Sequence, residues 1–313
     1  MTHRSVLAPA ALVAAAALLS GCAASSTASE STTSPAAELH LGYFANVTHG
    51  PALVGLEEGF FEDALGETEL TTEVFNAGPA TIEAISAGAI DAAYIGPSPA
   101  INSFIKSGGE SAVIVAGATT GGAALVVRDG IDSPADLAGT TLATPQLGNT
   151  QDVALRSWLA DEGFETTTEG GGDVTISPTE NADTLTLFQS GQLDGAWLPE
   201  PWVSRLVIEG GAHVLVDEAD LWDDGIFPTT VLLVNKTFLA EHPETVQALL
   251  EGHVEAVNWL TDNPDEAAAV INGRLAADTG KTLGDEVIAS ALKAVTFSVD
   301  PAADTFSVLV DHA

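Results

Sequence analysis

The chain has 313 residues, with 44 Asp and Glu against 9 Lys and Arg, giving a net charge of −35 at pH 7. So acidic a surface makes nucleic acid and anionic membrane faces poor partners. The single cysteine excludes an internal disulfide, and the length beyond about residue 39 suffices for a large core or two domains.

The N-terminus opens with the basic Thr2-His3-Arg4, an apolar run over residues 6–19, and the small residues of Leu19-Ser20-Gly21-Cys22. This pattern predicts a signal peptide over residues 1–21; the run is too short to span a bilayer comfortably, which takes about 20 residues. The Leu-Ser-Gly-Cys segment resembles the lipobox of bacterial lipoproteins. The resemblance implies cleavage before Cys22, acylation of its sulfur, and tethering to the outer face of the cytoplasmic membrane. Cleavage removes Arg4, the only charged group among those residues, and leaves −36. Behind Cys22, residues 23–38 are Ala, Ser, Thr and Glu with one proline, a composition that predicts a flexible stalk over residues 22–38.

From Leu39, short apolar strands alternate with helical stretches, which predicts α/β layers with parallel strands. Strands are expected at residues 39–44, 71–75, 91–95 and 112–116. Helices are expected over 51–60, from Pro79 to a left-handed cap at Gly88, and over 99–105. An ungapped internal match at an offset of 103 lays residues 81–95 over 184–198. Thr81/Thr184, Gly88/Gly191 and Asp91/Asp194 are identical pairs, and Tyr94 falls on Trp197. A helix, a glycine turn and a strand used twice predict two similar lobes. The β-branched runs at residues 125–127 and 231–234 are the candidate hinge strands. The expected division is residues 39–124 for the first part of lobe 1, 125–230 for lobe 2, and 231–313 for a largely helical return to lobe 1. Pro243 and Pro264 open two helices of that return.

Four segments in order carry a wider resemblance: Phe75-Asn76-Ala77-Gly78-Pro79-Ala80, Ile90-Asp91-Ala92-Ala93-Tyr94-Ile95-Gly96-Pro97, Ala143-Thr144-Pro145-Gln146-Leu147-Gly148-Asn149-Thr150-Gln151-Asp152 and Trp197-Leu198-Pro199-Glu200-Pro201-Trp202. They resemble the substrate-binding proteins of the nitrate, sulfonate and taurine ABC importers, in particular the aliphatic sulfonate branch. The resemblance implies a type II periplasmic-binding-protein-like α/β fold: two lobes, each a parallel-rich sheet flanked by helices, joined by two hinge strands and closing on a solute. It also implies delivery to an ABC permease and its ATPase. The protein is expected to be a monomer that uses neither cofactor nor metal.

In parallel α/β sheets ligands sit beyond the carboxyl ends of strands, against helix N-termini. Candidates there are Tyr43, Asn46, Gly78, Pro79, Tyr94, Ser98, Thr119, Thr120, Gln146, Asn149 and Thr150. Thr119 and Thr120 lie in the Gly-rich 117–122 segment, read as a loop after the fourth strand. The proline-flanked Glu200 either pairs with an ammonium group, as on taurine, or caps the following helix. Trp197 and Trp202 are candidates for packing the solute. The expected solute is an aliphatic sulfonate or taurine, with nitrate or a neutral heterocycle such as a thiamine-precursor pyrimidine left open. Gly96-Pro97-Ser98-Pro99-Ala100 resembles a nucleophile elbow, but Ala100 replaces its second glycine. A lipid-anchored hydrolase using Ser98 is therefore a distant alternative, and no enzyme activity is expected.

Overall fold

The computed structural model describes residues 34–312; the predicted signal peptide, Cys22 and stalk residues 22–33 lie outside the described residues. The end of the predicted stalk is already part of the folded body. Ala36 is buried, donates its N–H to Thr245 Oγ1 at 2.7 Å and accepts from Thr68 Oγ1 at 2.7 Å. Composition alone does not reveal these partners, which are distant in sequence.

Strand β1 (Glu38–Phe44) leads into α1 (Gly50–Glu57) and α2 (Phe60–Leu65). The single helix expected over 51–60 breaks at Gly59, whose φ is 78°. Then come β2 (Glu69–Phe75), α3 (Gly78–Ser86), β3 (Ala92–Ile95), α4 (Pro97–Lys106) and β4 (Ala112–Gly121). The chain turns through Gly121 and Gly122, with φ of 75° and 74°, a conformation that glycine adopts without steric cost. It enters a second sheet with β5 (Ala123–Val127), β6 (Thr141–Thr144), α5 (Thr150–Asp161), β7 (Thr175–Pro178), α6 (Asn181–Gln189), β8 (Gly195–Pro199), α7 (Trp202–Ile208) and β9 (His213–Asp217). It returns with β10 (Pro228–Asn235), α8 (Lys236–Glu241), α9 (Pro243–Asp262), α10 (Pro264–Thr279), α11 (Asp285–Lys293), β11 (Val295–Phe297) and α12 (Phe306–His312).

The sheet orders are β11-β4-β10-β3-β1-β2 and β7-β6-β8-β5-β9. In each, a parallel trio is followed by an antiparallel strand: β10 beside β3 in the first, β5 beside β8 in the second. Apart from β11, the sheets therefore repeat one topology, with strands β5 and β10 exchanged between the two halves of the chain. Residues 125–127 lie in β5 and 231–234 in β10, each wholly within one sheet. The crossings fall at Gly121-Gly122 and between β9 and β10.

The matched residues do equivalent work in both copies. Thr81 Oγ1 donates to Ala77 O and Thr184 Oγ1 to Glu180 O, each four residues back. Gly88 and Gly191 take φ of 69° and 77° after their helices. Asp91 accepts from the His40 N–H on β1, and Asp194 from the Thr141 N–H on β6. Tyr94 and Trp197 are both fully buried beneath their sheets.

The predicted Gly-rich loop over 117–122 is instead mostly strand. It extends β4 because β10 pairs along one side and β11 along the other. This moves Thr119 and Thr120 from a loop into a ladder.

Candidate functional site

Four helix starts meet at one narrow cavity, between the carboxyl ends of the parallel strands of the two sheets. His49 precedes α1, Gly78 is the first residue of α3, Gly96 caps α4 and Asn149 caps α5, and all four line the cavity. Phe44, Asn46, Thr48, Pro99, Thr150, Gln151, Pro199 and Thr229 complete the wall. Each helix start carries roughly half a positive charge together with unpaired N–H groups, so their convergence favours an anion. Among the described residues, no lysine or arginine lines the cavity.

Five polar side chains of the wall each accept one hydrogen bond. Asn46 Oδ1 accepts from Trp202 Nε1 at 2.8 Å. Asn149 Oδ1 accepts from the Asp152 N–H at 2.9 Å, and Gln151 Oε1 from Asn149 Nδ2 at 2.9 Å. Thr150 Oγ1 accepts from the Ser98 N–H at 3.4 Å, joining α5 to α4 across the cleft. His49 Nδ1 accepts from the Phe44 N–H at 3.2 Å. A backbone N–H can only donate, so these contacts fix the orientation of each group. The hydrogens left over belong to the Asn46 and Gln151 amides, the Thr150 hydroxyl and His49 Nε2. The wall is thus a set of neutral donors. Burial lowers the His49 pKa to about 3, which keeps the ring uncharged.

Two further hydroxyls stand beside this wall. Ser98 Oγ and Thr230 Oγ1 are fully buried and have no hydrogen-bond partner among the described residues. Such groups are costly unless something completes them.

Several sequence candidates fall elsewhere. Tyr43 is buried under lobe 1, its hydroxyl 2.9 Å from Asp278 and also bonded to Arg274. Tyr94 points into the same core, with its hydroxyl 2.8 Å from His253 Nδ1. Trp197 belongs to the lobe 2 core, where it packs on Trp158 and donates to Glu218 at 2.7 Å. The alternation of a strand sends these three side chains away from the cleft. Thr119 Oγ1 is tied to Thr48 O at 2.6 Å. Pro79 and Gln146 flank the cavity without lining it, although Gln146 O holds the Asn149 N–H at 3.1 Å. Trp202 acts from behind by orienting Asn46. Thr120 and Glu200 face a separate, broader groove. The Glu200 carboxylate accepts from the Ser204 N–H and hydroxyl at 3.1 and 2.9 Å, which is the helix-capping alternative. Burial raises its pKa to about 7.

Sequence reasoning singled out the segments that hold Phe44 and Gln151 without naming these two as contacts, and missed Thr48, His49, Pro99, Pro199, Thr229 and the adjacent Thr230. His49 follows a strand end already singled out, so widening that segment by a few residues would have caught it. Thr229 and Thr230 enter the site at the start of β10, and nothing local marks them.

Residues 32–274 match the NMT1-like family. The taurine-binding periplasmic protein of Escherichia coli is 27% identical over 218 residues, covering 69% of this chain and 64% of that protein. Among solved structures, the alkanesulfonate-binding protein SsuA from Xanthomonas axonopodis, bound to MOPS, aligns with a TM-score of 0.73 at 22% identity, covering 88% of this chain and 91% of that one. The periplasmic aliphatic sulphonate-binding protein SsuA from Escherichia coli aligns with a TM-score of 0.69 at 24% identity, covering 89% and 86%. These likenesses establish the two-lobed binding-protein fold.

Proposed function

We propose, from the premise that the chain belongs to the NMT1-like family, that it is the solute-binding component of an ABC importer and captures an aliphatic sulfonate in the cleft between its lobes. The observation that carries this reading is the convergence of four helix starts and a wall of neutral donors on one cavity. A sulfonate offers three acceptor oxygens and one negative charge, which complement such a wall. Asn46, Gly78, Asn149 and Thr150 from the sequence reading, with His49 and Gln151, are the proposed contacts. The solute's carbon chain would leave through the mouth of the cavity.

Taurine would need a partner for its ammonium group, and Glu200, the candidate for that role, is engaged with Ser204 away from the cavity. A stacked neutral heterocycle loses its support because Trp197 lies in the core. The cavity is narrow, so the small nitrate ion is the second reading. The E. coli taurine-binding relative supports a solute-binding role in place of catalysis. Ser98 Oγ makes no hydrogen bond to a histidine among the described residues, as an activated nucleophile would require. Cys22 would hold the mature chain at the outer face of the membrane, beside its permease and ATPase. Isothermal titration with ethanesulfonate, taurine, nitrate and an aminopyrimidine tests the reading. Ethanesulfonate is expected to bind tightest, and its failure to bind would refute the proposal.

A further inference from the structure

We infer that Trp202 is a positioning residue: carried in on lobe 2 as the cleft closes, its indole N–H takes the side-chain oxygen of Asn46 on lobe 1 and so turns the Asn46 amide to donate into the solute cavity. The inference rests on the sulfonate reading above. It adds a residue that does not line the cavity yet makes one of the cavity's donors depend on closure.

Asn46 and Asn149 both stand at helix entrances on the cavity wall, but their side chains are held differently. Asn149 precedes α5, and its Oδ1 accepts from the Asp152 N–H at 2.9 Å, a bond within its own helix. Asn46 precedes the short helical turn Val47–His49, and its side chain makes no such capping bond. Its backbone is fixed on lobe 1, where the Asn46 N–H donates to Phe44 O at 2.8 Å and Asn46 O accepts from the His49 N–H at 3.0 Å. Its side chain has a single partner among the described residues, Trp202 Nε1 at 2.8 Å, and that partner belongs to the other lobe. The indole is itself seated on lobe 2: it packs against the cluster that includes Leu198, Val203 and Leu206, and the Arg205 guanidinium carbon stands 4.6 Å from its ring centroid.

An indole N–H can only donate, so the amide arm it meets must be the oxygen. Both amide hydrogens then lie on Nδ2, which makes no hydrogen bond among the described residues and is not sealed off from the cavity that Asn46 lines. With the lobes apart the indole is withdrawn. The oxygen is then free to turn back on its own helix entrance, as in Asn149, or to face the cavity, where it repels an anion. Closure therefore sets which end of the amide dipole the solute meets. A hydrogen bond to a charged ligand is stronger than one between neutral groups, so losing the donor that Trp202 orients weakens anion binding by roughly 10- to 100-fold.

A double-mutant cycle tests this, with ethanesulfonate titrated calorimetrically into the wild type, Trp202→Phe, Asn46→Ala and the double variant, and with melting temperatures measured alongside. Phenylalanine keeps an aromatic ring against the lobe 2 cluster and removes the N–H. Trp202→Phe should lower the affinity by roughly 10-fold or more while Asn46 is present, and by less than about twofold once Asn46 is alanine. A merely structural role for Trp202 would cost the same in both backgrounds. Indole 15N NMR supplies a readout that does not depend on stability. The Trp202 resonance, assigned by its absence from Trp202→Phe or Trp202→Leu, should move downfield when ethanesulfonate closes the wild type, and should lose that shift in Asn46→Ala saturated with the same ligand. Additive losses in the cycle, or an indole resonance that ethanesulfonate leaves in place, overturn this inference and leave the sulfonate reading intact. A wild type that binds no ethanesulfonate overturns both.

Discussion

Gly96→Ala tests whether ligand binding requires the lobes to meet as they do in this structure. Gly96 has φ of −67° and ψ of 149°, which alanine adopts before a proline without strain. The substitution therefore acts through space alone. Its Cβ would overlap Thr150 Oγ1 at the start of α5, lie 3.2 Å from Thr150 Cβ and 3.7 Å from Thr229 O. Gly96 belongs to lobe 1 and Thr150 to lobe 2, so the clash exists only when the cleft is closed. Overpacking of this kind costs about 1–3 kcal/mol. Charged wholly to the closed state, that cost lowers its population, and with it the affinity, by about 5- to 150-fold. Isothermal titration with ethanesulfonate measures the affinity, and small-angle scattering with and without ligand measures closure. The melting temperature without ligand should move little, and adding Thr150→Ala should restore part of the closure. An affinity within about twofold of the wild type, with normal compaction, would refute the claim that Gly96 is the point of contact.

Three other substitutions separate core, seam and anchor. Trp197→Phe leaves the buried Glu218 without its 2.7 Å donor, and should lower unfolding stability by about 1–3 kcal/mol while ethanesulfonate affinity stays unchanged; a large loss of affinity with intact stability would return Trp197 to the cleft. Glu200 and Glu218 both have pKa values raised from 4.5 to about 7, in each case chiefly by burial. The folded state therefore holds these protons more tightly, so the stability they contribute is fully present below about pH 4.5 and is lost as pH rises through 7, at most roughly 3 kcal/mol each. In urea titrations across that window, Glu218→Gln should show a shallower fall than the wild type, and an identical slope would contradict the assigned pKa. Finally, Cys22→Ser should release the protein into the medium with unchanged solute affinity, as read by fractionation and titration.

What the sequence disclosed depended on whether the determining contact is local. Thr81 and Thr184 bond four residues back, Gly88 and Gly191 end their own helices, and Asp91 and Asp194 follow those turns at a fixed distance. Such features survive in a sequence match, and the repeated topology follows from them. The strand-end rule likewise found Asn46, Gly78, Asn149 and Thr150. It failed for Tyr43, Tyr94 and Trp197 because the alternation within a strand sets neighbouring side chains on opposite faces without saying which face is covered by helices. α9 and α10 decide this for Tyr94 and Tyr43 through His253 and Asp278, residues 159 and 235 positions away. His49 escaped notice for a different reason: an isolated histidine carries no motif, and its role becomes visible only when the Phe44 N–H is seen to occupy Nδ1.

The same wall explains how a chain with a net charge of −35 can hold an anion without a cationic side chain. Surface carboxylates act through water, and at physiological salt their field decays over about 8 Å. Their effect therefore falls on the approach of the solute and weakens as salt is added. Once the lobes meet, Ser98 N–H on α4 reaches Thr150 on α5, and Trp202 on lobe 2 holds Asn46 on lobe 1. Closure thus assembles the donors and removes the water that would otherwise compete for them. Helix starts and amide hydrogens act at contact distance in that drier space, where the same partial charges attract far more strongly than in water. An arginine would add attraction, but closure would then have to desolvate its full charge. Neutral donors, held in direction by the bonds they already make, avoid that cost.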